Sequence, residues 1–213
     1  MLFRYFGQQA AWERKGFRFK MPIKLLDSTL VSLTISVYDW AHYTTSKGAV
    51  KMHTLLDYDC LLPEFMNITG GKRTDNKAAF DIEIKPHSIV VADRGYCDYG
   101  LLNHWDSNNV FYVVRHKDDI QHRTIKELPL PEKHAQNVLL DEIIEFELPT
   151  AKDKCPKRLR RIAVWDEEHG FVIELLSNNV TLAASTIAKL YKARWNIEIF
   201  FHNLKQLLRI KSF

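Results

Sequence analysis

The sequence predicts an α/β fold, with a mixed sheet, flanking helices and a β-rich insertion before the last helix. Three observations carry that expectation. Apolar residues recur either with period two or in short unbroken runs, which marks strands. Polar helix-opening residues stand between several of those runs. The C-terminal stretch instead spaces Leu190, Ile197, Phe201, Leu204 and Leu208 as one helix face. With 213 residues, 46% hydrophobic and 26% charged, the composition is that of an ordinary globular chain.

The elements follow in order. Ile23-Lys24-Leu25-Leu26 is a strand-like run that ends at Asp27-Ser28-Thr29. Leu30–Val37 sets Leu33, Ile35 and Val37 against Ser32, Thr34 and Ser36, the alternation of a half-buried strand. Ala49–Leu56 reads as a third strand, and the three together make an antiparallel meander. Thr74-Asp75-Asn76 opens a short helix through Phe80. Ser88–Asp93 has four consecutive apolar residues and no alternation, which predicts a fully buried strand, with Gly95 supplying a turn behind Asp93. A helix near Asp98–Trp105 leads to a strand at Val110–Arg115. A βαβ crossover takes only about 30 residues, far fewer than separate Asp93 from the last helix. The interval is filled by strand-like stretches at Ile143–Leu148, Leu159–Trp165 and Phe171–Ser177, the last two joined by the turn Glu167–Gly170. Ala151–Lys157 reads as a polar, Lys-rich link.

On the last helix, Tyr191, Arg194, Glu198 and Lys205 lie at offsets of 0, 3, 7 and 14. At helical spacing these fall at roughly 0°, 300°, 340° and 320°, one narrow stripe beside the apolar face. A carboxylate with two cations and a phenol is poor core material and suits an anionic ligand held near a metal. The same residues also suit a salt-bridged surface, with Arg194 pairing Glu198 four positions on. Two further carboxylates stand at or near the ends of apolar runs, Asp27 and Asp93. Asp93 reads equally as a carboxylate presented at a sheet edge or as a helix N-cap. Asp27 reads as a site carboxylate or as a satisfied polar group in a hairpin.

The ordered set resembles a known family. Asp27-Ser28-Thr29, then Asp93-Arg94-Gly95-Tyr96, then Tyr191-x2-Arg194-x3-Glu198-x6-Lys205 is similar to the DDE transposases of bacterial insertion sequences. The similarity is to the branch typified by insertion sequence four, whose signature is written YREK. Lys47–His53 also looks like the next strand of that branch. The resemblance runs from about Ile23 to the C-terminus. It implies a ribonuclease H-like core, in which three antiparallel strands are followed by parallel additions with crossover helices. It implies a triad of Asp27, Asp93 and Glu198 as catalytic residues and metal ligands, with Tyr191, Arg194 and Lys205 on DNA phosphate. It also implies residues 1–22 as a basic remnant and 23–213 as a truncated catalytic core, interrupted at about 120–180. The activity expected is metal-dependent DNA strand cleavage and strand transfer. An inactive remnant that only binds DNA, or a structure-specific nuclease on the same fold, are the alternatives.

Ligand chemistry agrees with that expectation. Two Asp and a Glu without a paired His or Cys favour oxygen-coordinated Mg²⁺ or Mn²⁺, two ions in this chemistry. His53, His87 and His104 show no zinc-ligand spacing. Charge adds a second line. Segments 1–24, 152–161 and 189–213 hold 18 of the 30 Lys and Arg but only 3 of the 26 acidic residues. Such segregation points to a basic surface for double-stranded DNA, with Arg158, Arg160 and Arg161 as contacts, or else to solvated charge runs on unrelated faces. Trp165 and Trp195 are candidates to stack on a displaced base, or core. The resemblance implies transposon ends and target as the DNA, and a homodimer when bound to it. Cys60, Cys97 and Cys155 form no Cys-x-x-Cys pair and suggest reduced thiols. With no apolar run of membrane-spanning length, about 18 residues, and no secretory signal, the expected place is a bacterial cytoplasm, at the nucleoid.

Overall fold

Residues Ile23–Leu33 form one unbroken strand, β1, and the first Asp lies in its middle rather than at its end. The computed structural model describes residues 16–17, 19–33, 48–117, 120–130 and 137–207. They fall into two compact units, residues 1–83 with 194–213 and residues 84–193.

In the first unit, β1 pairs antiparallel with β2 (Gly48–Asp57), and β2 pairs antiparallel with β3 (Pro63–Gly70). The expected meander therefore forms, but from different segments. Leu30–Leu33 continues β1 instead of starting a new strand, and the rest of Leu30–Val37 lies outside the described residues. The third strand is β3, which Pro63 and the turn-like Asn67–Gly70 hide in the sequence. The register sets the two faces of this sheet. Asp27, Thr54 and Met66 stand opposite one another on one face, and Ser28, His53 and Asn67 on the other. A short helix, α1 (Asp75–Ala79), follows Thr74, which stands at the N-cap position without a side-chain cap bond, and buries Ala78 and Ala79.

The second unit opens with β4 (Ile89–Ala92), buried at every position as its unbroken apolar run predicts. A 3₁₀ turn at Arg94–Tyr96 follows, then α2 (Tyr99–Ser107), whose N-cap Asp98 accepts from the Leu101 N–H at 3.1 Å. β5 (Phe111–Arg115) lies parallel to β4, completing a βαβ unit. The sheet of this unit continues in the order β4-β5-β9-β8-β7-β6, every later pairing antiparallel. These strands are β6 (His122–Glu127), β7 (Val138–Phe146), β8 (Leu159–Asp166) and β9 (Phe171–Ser177). They are the β-rich stretch of a mixed α/β fold. Gly170, at φ +70°, closes the turn between β8 and β9 in a conformation that favours glycine. The Lys-rich link is in fact helical, α3 (Pro149–Lys154), with Pro149 at its first turn, where a missing N–H costs nothing.

The last helix is two helices. α4 (Ala184–Ala193) and α5 (Trp195–Leu207) are separated at Arg194. No Pro or Gly marks this break. At it, the Ile197 N–H bonds the Arg194 carbonyl at 3.0 Å, a tighter three-residue turn. α4 buries Ile187 and Leu190, and α5 buries Ile197 and Phe201. No helix among the described residues is long and apolar enough to cross a membrane.

Candidate active site

Asp27 projects from β1 toward α5, which packs on that strand. Its Oδ1 accepts the N–H of Ser28 at 2.8 Å, and its Oδ2 accepts Arg194 Nη1 at 3.1 Å. The other terminal nitrogen, Nη2, donates to Glu198 Oε1, in the first turn of α5. A carboxylate there is favoured by the N-terminal end of the helix dipole. One guanidinium thus draws together Asp27 and Glu198, residues from opposite ends of the chain. The Arg194–Glu198 surface pair foreseen from spacing does form, but it is one half of a bridge that also takes in Asp27.

Asp93 belongs to the second unit. It stands at the N-cap position of the 3₁₀ turn, yet its side chain makes no cap hydrogen bond. Its Oδ1 instead accepts the Tyr191 hydroxyl at 3.1 Å. The capping alternative is therefore set aside, because the carboxylate faces α4 rather than its own turn. Tyr191 and Arg194, three positions apart, each hold a carboxylate of the expected triad. The single continuous stripe does not survive, since the helix breaks at Arg194. Within α5, Glu198 and Lys205 do share a face, seven residues apart, which is about 340°. Lys205 is partly exposed.

Behind Asp27 lies a group that the sequence reading did not single out. On the opposite face of β1, Asp75 Oδ1 accepts Ser28 Oγ at 2.6 Å and Lys51 Nζ at 3.2 Å, and His53 Nδ1 lies 3.6 Å away. The fully buried His53 ring bonds Thr69 Oγ1 through Nε2 at 3.0 Å. Burial lowers the His53 pKa from 6.5, Asp75 opposing and Lys51 reinforcing the shift, so its contact with Asp75 is not an ion pair near neutrality. Thr74-Asp75 was legible only as a helix start; its second task needs the strand register.

The basic run on β8 requires a correction. Arg160 is 4% exposed, and its Nε and Nη2 donate to Asp141 at 2.7 and 2.6 Å. Its Nη1 reaches the carbonyls of Leu182, at 2.5 Å, and Asn179, at 3.3 Å. A guanidinium so enclosed cannot be a DNA contact. Arg161 is clamped between Glu142 and Glu174, at 2.6 Å to each. Burial alone would lower its pKa; the hydrogen bonds it donates to Glu174 and Glu142 raise it instead. Arg158 is mostly exposed and only 4.0 Å from Glu145, so it alone of the three faces outward. Trp165 and Trp195 are both substantially exposed rather than core. Burial first, and the nearby Asp57 for one and Asp106 for the other, push the Cys60 and Cys155 thiols up to about 11, so neither is a thiolate nucleophile at neutral pH.

The donor set around Arg194 fits a hard divalent cation. Two carboxylates from different elements converge where a positive charge already satisfies both, and oxygen donors are what Mg²⁺ or Mn²⁺ takes. Among the described residues, no three His, Cys, Asp or Glu side chains gather as a metal-holding group.

Comparison with known proteins gives the family. The family model described as the transposase DDE domain matches residues 18–213. A Geobacillus stearothermophilus protein named probable transposase for insertion sequence element IS5377 is 28% identical over 199 residues, 93% of this chain and 52% of its own length. A Sinorhizobium fredii protein named as a candidate transposase, y4zB, is 30% identical over 192 residues, 90% of this chain and 53% of its own length. The chain spans about half the length of these curated relatives. A cryo-EM structure of the piggyBac transposase synaptic complex with hairpin DNA overlays with a TM-score of 0.49 at 11% identity, covering 88% of this chain and 40% of that one.

Proposed function

The chain belongs to the transposase DDE domain family, and from that premise we propose that it carries out metal-dependent cleavage and transfer of DNA strands. The observation that carries the proposal is the meeting of Asp27 and Glu198 at Arg194. A buried or half-buried carboxylate pair is costly without a cation between its members. Asp27, Asp93 and Glu198 would hold two Mg²⁺ or Mn²⁺ ions. Bound there, the ions would supply activation of a water or a 3′-hydroxyl and neutralise charge at the phosphate under attack.

The chain's own residues do the rest. Asp27 is fixed in orientation by the Ser28 N–H, and β1 is braced from behind by Asp75. Tyr191 orients Asp93 through its hydroxyl. Arg194 and Lys205 are the cations for the scissile or an adjacent phosphate, with charge-assisted hydrogen bonds. Arg158 is the β8 contact for flanking duplex. The DNA partners are transposon ends and target, brought together by a homodimer, at the nucleoid of a bacterial cell.

The test is Glu198→Gln, which removes one ligand charge and keeps the shape. Nicking of a plasmid carrying the DNA that flanks the reading frame is measured with Mg²⁺, and affinity for the same DNA in Ca²⁺. Nicking should be abolished while affinity holds or rises, because a negative charge beside phosphate is gone. A variant that nicks at the native rate would show that Glu198 only salt-bridges a surface.

A further inference from the structure

We propose that Arg194 and the divalent cation are alternative occupants of the Asp27–Glu198 pair, so that metal binding is what releases Arg194 to a DNA phosphate. The inference rests on the metal-site reading above and adds an order of events to it. Arg194 is then a positioning residue first, holding two ligands in place, and a phosphate contact second.

The geometry of the fork carries the argument. Arg194 spends one terminal nitrogen on each carboxylate, Nη1 on Asp27 at 3.1 Å and Nη2 on Glu198. The guanidinium is planar and its donors are fixed in direction. The Asp27 and Glu198 oxygens sit where the oxygens of a phosphate would have to lie to take those two donors, so phosphate and carboxylates compete for them. A phosphate approaching the bridged arrangement meets two negative charges screened by one positive charge. The Arg194 side chain is only 13% exposed and those of Asp27 and Glu198 19% and 33%, so this repulsion is weakly damped by water. A divalent cation takes the same oxygens and neutralises the pair fully. The displaced guanidinium exchanges two carboxylate acceptors for phosphate oxygens, which suit the same planar fork. Arg194 stands at the one non-helical position between α4 and α5. Its reorientation therefore does not require a helix to unwind.

Thermodynamic linkage makes this measurable. If metal frees Arg194 for DNA, metal and DNA must strengthen each other's binding by the same factor, and the factor must depend on Arg194. The 213-residue chain is titrated with Mn²⁺ without DNA, free Mn²⁺ being read by electron paramagnetic resonance. Affinity for a labelled duplex is then compared with and without Ca²⁺. Arg194→Gln should bind Mn²⁺ roughly fivefold to tenfold tighter than the native chain, since two partly buried competitor pairs are removed. It should also lose most of the gain in duplex affinity that Ca²⁺ gives the native chain. Arg194→Met keeps the length of the side chain and removes every donor, so it too should bind Mn²⁺ more tightly; it decides the question if the Gln variant does not fold. Native or weaker Mn²⁺ binding by the folded variants, with binding lost in Glu198→Gln, overturns the competition and leaves the metal site standing. Native Mn²⁺ affinity in Glu198→Gln removes the site and the competition together.

Discussion

Arg160 is the residue at which fold and DNA binding part company, and its replacement by Gln separates them. The guanidinium makes two hydrogen bonds to Asp141, at 2.7 and 2.6 Å, and is bonded by the carbonyls of Leu182 and Asn179. The Arg160 and Asp141 side chains are 5% and 4% exposed. Removing one partner of such a pair strands a carboxylate in a place water does not reach. The cost of that is about 3–5 kcal/mol, a fifth or more of a typical domain stability of roughly 5–15 kcal/mol. Arg158→Gln is the control, since an exposed pair is worth about 0–1 kcal/mol. The assay is equilibrium urea unfolding of the two single variants and the native chain. Replacing both partners, as Arg160→Met with Asp141→Leu, should recover most of the loss, because no charge is then left buried. A loss below about 1 kcal/mol for Arg160→Gln, or a double variant no better than the single, would refute the reasoning and make this cluster a surface one.

Three further outcomes are expected. Arg158→Gln should lower the salt dependence of duplex binding by about 0.9 in the logarithmic slope, the value for one phosphate contact; an unchanged slope takes Arg158 out of the interface. Tyr191→Phe should slow cleavage about tenfold at saturating DNA through loss of one hydrogen bond to Asp93, whereas a loss of DNA affinity with native saturated rate would place the hydroxyl on phosphate instead. His53, its pKa lowered from 6.5 mainly by burial, contributes stability that is fully present above pH 6.5 and lost as pH falls through that value toward the folded pKa; thermal unfolding between pH 7.5 and 5 should show this loss in the native chain and not in His53→Gln, and identical pH profiles would count against a buried neutral ring.

What the sequence could carry depended on the range of the signal. β4 was legible because four apolar residues in a row admit little else, and α2 because Asp98 precedes a helical pattern and does cap it. The continuity of β1 was hidden because Asp27-Ser28-Thr29 has turn chemistry, while its hydrogen bonding is decided by β2 beside it. The Arg160 and Arg161 pairings were hidden for a related reason. Their partners Asp141 and Glu142 lie 19 positions upstream on β7. Only the register, which sets Glu142 against Arg161, turns a basic run into an internal ion-pair ladder. The break at Arg194 left no trace, because the usual markers of a broken helix, Pro and Gly, are absent.

The spacing of Tyr191, Arg194, Glu198 and Lys205 suggested a fixed division of labour, carboxylates for metal and cations for phosphate. The structure shows why that division is incomplete. Under the proposed function, side chains that would meet a polyanion and a divalent cation are themselves a set of opposite charges, and they satisfy one another when brought close. Arg194 on Asp27 and Glu198, and Tyr191 on Asp93, are that satisfaction. The cost of desolvating a carboxylate pair is thereby offset within the protein. The same contacts hold Asp27 and Glu198 within one guanidinium's span and Asp93 on a single hydroxyl. Under the proposed function, binding of DNA and metal would exchange one set of charge pairs for another, and the net affinity would be the difference between the two sets. Replacing Arg194 or Tyr191 must therefore change how the ligands are held as well as how DNA is gripped, which is why their variants are to be read on metal affinity and rate separately.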